Sequence, residues 1–223
     1  MQPLRDPRPT PDLKICGITD PEQAQAIAKM GVQAIGVIGV PATPRFVEPV
    51  QRRALFQMLE EQHPLLHRVW VVANPDDAAL EEALNGAGQP SVVQLHGGES
   101  VECCQRLKQS YPRQQWWKAL RVREPDDLKQ LEHYAPHVDA LLIDAWSADQ
   151  LGGTGHRIPL DWVRETELSV PWWLAGGVSA EWVPELLSRV KPQGLDASSR
   201  LEERPGWKNL DKVQALVEAV KQG

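Results

Sequence analysis

The sequence predicts an α/β fold, a single closed (β/α)8 barrel (TIM barrel), on three observations. Eight short apolar runs recur along the 223 residues, at 13–18, 34–38, 68–73, 91–95, 117–122, 138–144, 172–175 and 193–197. Longer amphipathic stretches alternate with them, as crossover helices between parallel strands would. Several runs, such as Val69-Trp70-Val71-Val72-Ala73 and Ala140-Leu141-Leu142-Ile143, are continuous rather than alternating. Continuous apolarity marks strands buried on both faces. A parallel barrel takes about 250 residues, so the chain holds one barrel and little else. The expected division is a Pro-rich lead-in at 1–12 and a catalytic barrel domain at 13–223. An open doubly wound sheet is the competing architecture. Its first strand normally ends in a Gly-rich dinucleotide turn, whereas here the first strand ends in Cys16-Gly17-Ile18-Thr19.

The elements follow in order. After the first run, Asp20 is available as N-cap, Pro21 suits the first helical turn and Gly31 suits the position just past the end, predicting a helix over 21–30. Further helical patterns cover 49–61, 76–84, 99–109, 125–134, 180–189 and 210–221. The connection at 145–169 reads as a long loop with a short helix near 160–166. Asp126-Asp127 opens a helix, where the dipole favours acids. His133 and His137 have a metal-type spacing, but Pro136 breaks the helix that would align them, so they read as solvent-facing.

Composition narrows the partners. With 24 basic and 30 acidic residues the net charge is −6, which argues against nucleic acid or an anionic membrane as the main partner. A small anionic ligand needs only a local pocket. No stretch reaches the roughly 18 apolar residues of a membrane span. The first dozen residues hold four prolines and lack the apolar core of a signal peptide. Three cysteines, two of them adjacent at Cys103-Cys104, make no disulfide framework and no zinc-ligand pair. A reducing, cytoplasmic location is expected. Trp116-Trp117 and Trp172-Trp173 lie in apolar runs and read as core.

In a barrel, side chains at the C-terminal strand ends converge on one mouth. Those ends supply Cys16, then Pro44-Arg45, Gln94-Leu95-His96-Gly97, Arg121, Asp144, Gly176-Gly177, and Asp196 with Ser198-Ser199. Three late segments, Gly152-Gly153-Thr154-Gly155, Ala175-Gly176-Gly177 and Ala197-Ser198-Ser199, offer backbone N–H groups with little obstruction. Phosphate sites in barrels are often built from the loops after strands seven and eight; tight turns alone are the other reading of these glycines. Cys16 taken by itself is either a small buried hydrophobe or a base.

Taken together, Lys14-Ile15-Cys16-Gly17-Ile18-Thr19, Thr43-Pro44-Arg45-Phe46-Val47, Val93-Gln94-Leu95-His96-Gly97, Leu142-Ile143-Asp144-Ala145, Gly152-Gly153-Thr154-Gly155, Leu174-Ala175-Gly176-Gly177 and Gly194-Leu195-Asp196-Ala197-Ser198-Ser199 resemble phosphoribosylanthranilate isomerase. Pro205-Gly206-Trp207-Lys208-Asn209 looks like that family's approach to its last helix. The resemblance implies an isomerase of tryptophan biosynthesis and an Amadori rearrangement of N-(5-phosphoribosyl)anthranilate to 1-(2-carboxyphenylamino)-1-deoxyribulose 5-phosphate. It implies no redox cofactor and no metal, a small phosphosugar as partner, and a monomer or homodimer.

Carried over residue by residue, the resemblance makes Asp144 the general acid and Cys16 the general base. Arg45 would bind the anthranilate carboxylate, His96 would help position the substrate and Asp196 would bind sugar hydroxyls. Gly153, Gly176, Gly177, Ser198 and Ser199 would hold the phosphate. These roles set physical demands. A carboxyl group of ordinary pKa about 3.9 must keep a proton near neutrality, and a thiol of about 8.5 is expected to be lowered. The chain departs from the family at Val37-Ile38-Gly39-Val40, where an aromatic is common, and at Arg200, where glycine is usual. The rival readings are another phosphosugar barrel of epimerase or synthase type, and a non-catalytic phosphate-ligand barrel. An epimerase would need paired metal-binding histidines and carboxylates; a binding barrel would not need both Cys16 and Asp144.

Overall fold

A computed structural model describes residues 10–145 and 157–223. Eight parallel strands close in sequence order: β1 (Asp12–Cys16), β2 (Ala34–Ile38), β3 (His67–Val72), β4 (Val92–Leu95), β5 (Gln115–Val122), β6 (Ala140–Ala145), β7 (Trp172–Leu174) and β8 (Gly194–Ala197). β8 pairs back onto β1, with Lys14 opposite Asp196. The helices α1 (Pro21–Lys29), α2 (Pro49–Gln62), α3 (Asp77–Leu84), α4 (Val101–Ser110), α5 (Gln130–Tyr134), α6 (Leu160–Val163), α7 (Val183–Arg189) and α8 (Leu210–Gln222) fill the crossovers and the C-terminus. All eight apolar runs therefore became strands of one barrel. Among the described residues no helix is long and apolar enough to cross a membrane.

Local chemistry sets the helix starts. Asp20 accepts from the Gln23 amide at 2.9 Å, as the capping pattern predicts. Where 76–84 was expected, Asp76 instead stays outside α3 and caps it through the Ala79 amide. Where 99–109 was expected, Ser100 caps α4 through Cys103, and Glu99 turns inward to another partner. The 125–134 stretch opens as a 3-10 turn (Pro125–Lys129) before α5. α7 begins at Val183, with Pro184 in its first turn, rather than at 180. One element was missed. A two-stranded hairpin, β9 (Glu202–Arg204) and β10 (Trp207–Lys208), turns on Pro205-Gly206, with Gly206 at φ 80°. Its Pro-Gly dipeptide is a turn signal, but arms this short show no strand period. The lead-in at 1–9 and the Gly152–Gly155 segment lie outside the described residues.

Strand alternation sorts the side chains into two cores. Outward residues, including Trp116 and Trp172, pack beneath the helices. Inward residues, including Val69, Val92, Trp117, Ala140, Leu142 and Trp173, fill the barrel. Trp117 and Trp173 pack ring on ring with centroids 4.7 Å apart and form its lower floor. Gly194 makes room for that floor, since a Cβ there would lie 2.3 Å from the Trp173 ring. Gly194→Ala is therefore expected to destabilise the barrel by about 1–3 kcal/mol through overpacking, read as a lowered Tm with little change in KM.

Candidate active site

Cys16 ends β1 with its side chain inside the barrel, 7% exposed. Lys14, two residues earlier on the same strand, also points inward and is fully buried. Its Nζ lies 2.8 Å from Asp196 Oδ2. Gly36 stands opposite Cys16 in register, and a Cβ there would meet Sγ at 2.8 Å and Lys14 Cε at 3.1 Å. The thiol and the lysine thus share the space that glycine leaves. The expectation that the Cys16 pKa is lowered is corrected here. Burial pushes the thiol up, and the nearby Lys14 and Lys208 ammoniums only partly offset it. A thiolate formed in such a site is scarcer but a stronger base.

Asp144 lies on β6, three strands away from β1 around the closed barrel, and is buried. Its Oδ2 is 3.4 Å from His96 Nε2. Gln94, also inward from β4, places its Nε2 at 3.2 Å from His96 Nδ1. His96 is thus bracketed by Gln94 at Nδ1 and by Asp144 at Nε2. The His96 loop is clamped from below. Buried Lys118 donates to the Gly97 carbonyl at 2.8 Å and pairs with Glu99 at 2.7 Å, while Glu99 accepts from the Gly97 amide.

Arg45 follows β2 and reaches the same mouth, but its guanidinium is held. Nε and Nη2 donate to the two oxygens of Glu202 at 2.8 and 2.7 Å. Glu202 also accepts from Lys208 at 2.7 Å and from the Gly206 amide. Hairpin β9–β10 therefore presents Arg45 in one orientation, with part of its donor set spoken for. Burial would raise the Glu202 carboxyl, but Arg45 and Lys208 outweigh it and hold it below its ordinary value. A depressed folded value contributes stability above the unfolded value, about 4.3, and that contribution is lost as pH falls through the folded value. Glu202→Gln leaves two buried cations poorly compensated, so it is expected to cost about 3–5 kcal/mol near neutrality. Melting curves should show the difference from wild type shrinking as the pH is taken below about 4.

The remaining wall comes from late loops. Gly176 and Gly177, just after β7, both adopt positive φ, 91° and 69°. Positive φ suits glycine, which has no Cβ to clash, and leaves the backbone at this turn open to a ligand at the mouth. Ser198 donates its hydroxyl to the Cys16 carbonyl at 3.0 Å, which ties the end of β8 to the end of β1. Ser199 and Arg200 line the mouth beside it. Asp196 is largely buried and pushed up by burial, with Lys14 pulling against that; its Oδ1 makes no hydrogen bond.

The structure brings the sequence-nominated residues together. Cys16, Arg45, His96, Asp144, Gly176, Gly177, Asp196, Ser198 and Ser199 line one cleft. Ile38, Val40, Val71 and Val178 give it an apolar wall. Gly153 lies outside the described residues, and Arg121 sits in a separate depression with Lys118 and Tyr134. Sequence reasoning gave no part to Lys14, Glu202 or Lys208. Lys14 could have been found by counting back one strand period from Cys16; Glu202 and Lys208 depended on the hairpin. Among the described residues no group of His, Cys, Asp and Glu could hold a metal ion.

Comparison with known proteins adds to this geometry. The family model described as N-(5'phosphoribosyl)anthranilate (PRA) isomerase matches residues 13–219. The N-(5'-phosphoribosyl)anthranilate isomerase of Synechococcus elongatus is 44% identical over 204 residues, 92% of this chain and 93% of the relative. The crystal structure of phosphoribosyl anthranilate isomerase from Thermotoga maritima superposes with a TM-score of 0.83 at 27% identity, covering 96% of this chain and 100% of that one. A phosphoribosyl anthranilate isomerase in complex with reduced 1-(o-carboxyphenylamino)-1-deoxyribulose 5-phosphate superposes with a TM-score of 0.78 at 27% identity over the same shares.

Proposed function

The chain belongs to the N-(5'-phosphoribosyl)anthranilate isomerase family, and from that premise we propose that Asp144 and Cys16 are the acid and base with which it carries out its Amadori rearrangement in tryptophan biosynthesis. The observation that supports these roles is the convergence of both residues on one cleft at the C-terminal rim, between a cation and two glycine-bearing or serine-bearing loops.

Asp144 gives its proton to the furanose ring oxygen as the C1–O bond breaks, and the aminoaldose opens to a Schiff base. Cys16 thiolate then takes the proton from C2. The C2–H electron pair forms the C1–C2 double bond of an enolamine, and protonation at C1 gives the ketone. His96, its Nε2 directed at Asp144, orients the carboxyl group and the sugar. Asp196 meets sugar hydroxyls with Oδ1. Arg45, already aimed by Glu202, pairs with the anthranilate carboxylate through its remaining donors. The apolar wall at Ile38 and Val40 faces the anthranilate ring, so the departure at this segment keeps an apolar surface. Gly176, Gly177, Ser198 and Ser199, with Gly153, hold the 5-phosphate, and Arg200 adds positive charge at that end. The working partner is this phosphosugar, the assembly a monomer or homodimer, and the compartment the cytoplasm.

The test is direct. Phosphoribosylanthranilate, made in situ from anthranilate and phosphoribosyl pyrophosphate, should lose its anthranilate-type fluorescence when purified protein is added. Folded protein that leaves the fluorescence unchanged would refute the isomerase reading.

A further inference from the structure

One buried cation at the barrel mouth has no part in the acid–base pair. Lys14 is fully buried, so its charge carries a desolvation cost that one carboxylate at 2.8 Å offsets only in part. A neutral pair of similar volume would fill the same space. The position has a second feature that a purely structural ion pair does not require. Gly36 is placed so that Sγ of Cys16 and Cε of Lys14 both press against the site of its absent side chain. The two inward side chains of β1 thereby border one space, and the Lys14 ammonium favours charge on the Cys16 sulfur. Burial disfavours the Lys14 charge, but Asp196 and the sulfur together outweigh it and hold the ammonium protonated.

We propose that Lys14 is a positioning residue of the isomerase reaction: its ammonium, anchored on Asp196 beside the Cys16 sulfur, stabilises the thiolate that forms there for removal of the C2 proton. The proposal rests on the reading of Cys16 as the base. The neighbouring elements bring charge of both signs to the sulfur. β8 brings Asp196, which opposes the thiolate; β10 brings Lys208, which favours it; the segment after β2 brings Arg45, tied to Glu202; β2 itself brings only Gly36. Lys14 is the cation that shares the sulfur's strand and its space at Gly36 and is also paired with the opposing carboxylate. When the thiolate removes the C2 proton, Lys14 keeps its own proton, and the negative charge it had balanced cancels the positive charge of the protonated Schiff base, leaving a neutral enolamine and a thiol.

The experiment is the pH dependence of Cys16 alkylation by iodoacetamide, followed on its own peptide because Cys103 and Cys104 are further free thiols. In Lys14→Met the alkylation midpoint should move to higher pH by at least about one unit, about a tenfold loss of thiolate at neutrality. The rising limb of kcat/KM should move with it. If Lys14→Met does not fold, Lys14→Met with Asp196→Asn removes both buried charges and should still move the midpoint upward. A folded variant whose alkylation midpoint stays at the wild-type value overturns the proposal, even if its kcat has fallen. Alkylation does not depend on turnover. If Cys16 is not the base, Cys16→Ala keeps its activity while the Lys14 effect on alkylation persists, so the two failures are distinguishable.

Discussion

Cys16→Ala is expected to lower kcat/KM by roughly 10²–10⁴-fold, the usual contribution of a positioned acid or base. The side chain supplies a proton acceptor at the end of β1 and little else. It packs inside the barrel rather than beneath the helices, and its backbone carbonyl, which ties Ser198, is retained. The fold should therefore survive, with Tm close to wild type. The groups proposed to bind the carboxylate and phosphate stand on other strands, so KM should change much less than kcat. A KM-dominated effect would instead make Cys16 a binding residue, and unchanged kinetics would make it packing.

Asp144→Asn is expected to cost a similar factor, also roughly 10²–10⁴-fold in kcat. The amide keeps the size of the carboxyl group and its place at the end of β6, and a buried amide can still meet His96. What it loses is the transferable proton. The comparison with Asp144→Ala is informative, because alanine removes both the proton and the contact at 3.4 Å to His96. If the two variants are equally slow, the proton is what matters. If asparagine retains near-normal kcat, Asp144 only orients its neighbours.

The barrel was legible because burial on both faces leaves a strong mark. Runs such as 138–144 and 68–73 have no other easy structural use. Boundaries were less legible where side-chain chemistry overrides period. Glu99 belongs by pattern to α4, yet its partner is Lys118 on a neighbouring strand, and nothing local announces a contact 19 residues away. The cleft was legible at strand ends, since register carries each terminal side chain to the same rim. Its electrostatics were not. Whether Cys16 titrates up or down depends on the balance between burial and ammoniums from β1 and β10, and only the folded arrangement sets that balance. The hold of Glu202 on Arg45 was hidden for the same reason, being a pairing 157 residues apart made by a seven-residue hairpin with no period of its own.

The central claim is that Asp144 and Cys16 act at different steps, ring opening and removal of the C2 proton. Kinetic isotope effects with substrate deuterated at C2 separate these steps. In Cys16→Ser, a weaker base makes C–H cleavage limiting, so the effect on kcat should rise to a primary value above that of wild type. In Asp144→Asn, ring opening becomes limiting and the effect should collapse toward unity. An isotope effect that moves the same way in both variants, or in the reverse sense, would contradict the assignment.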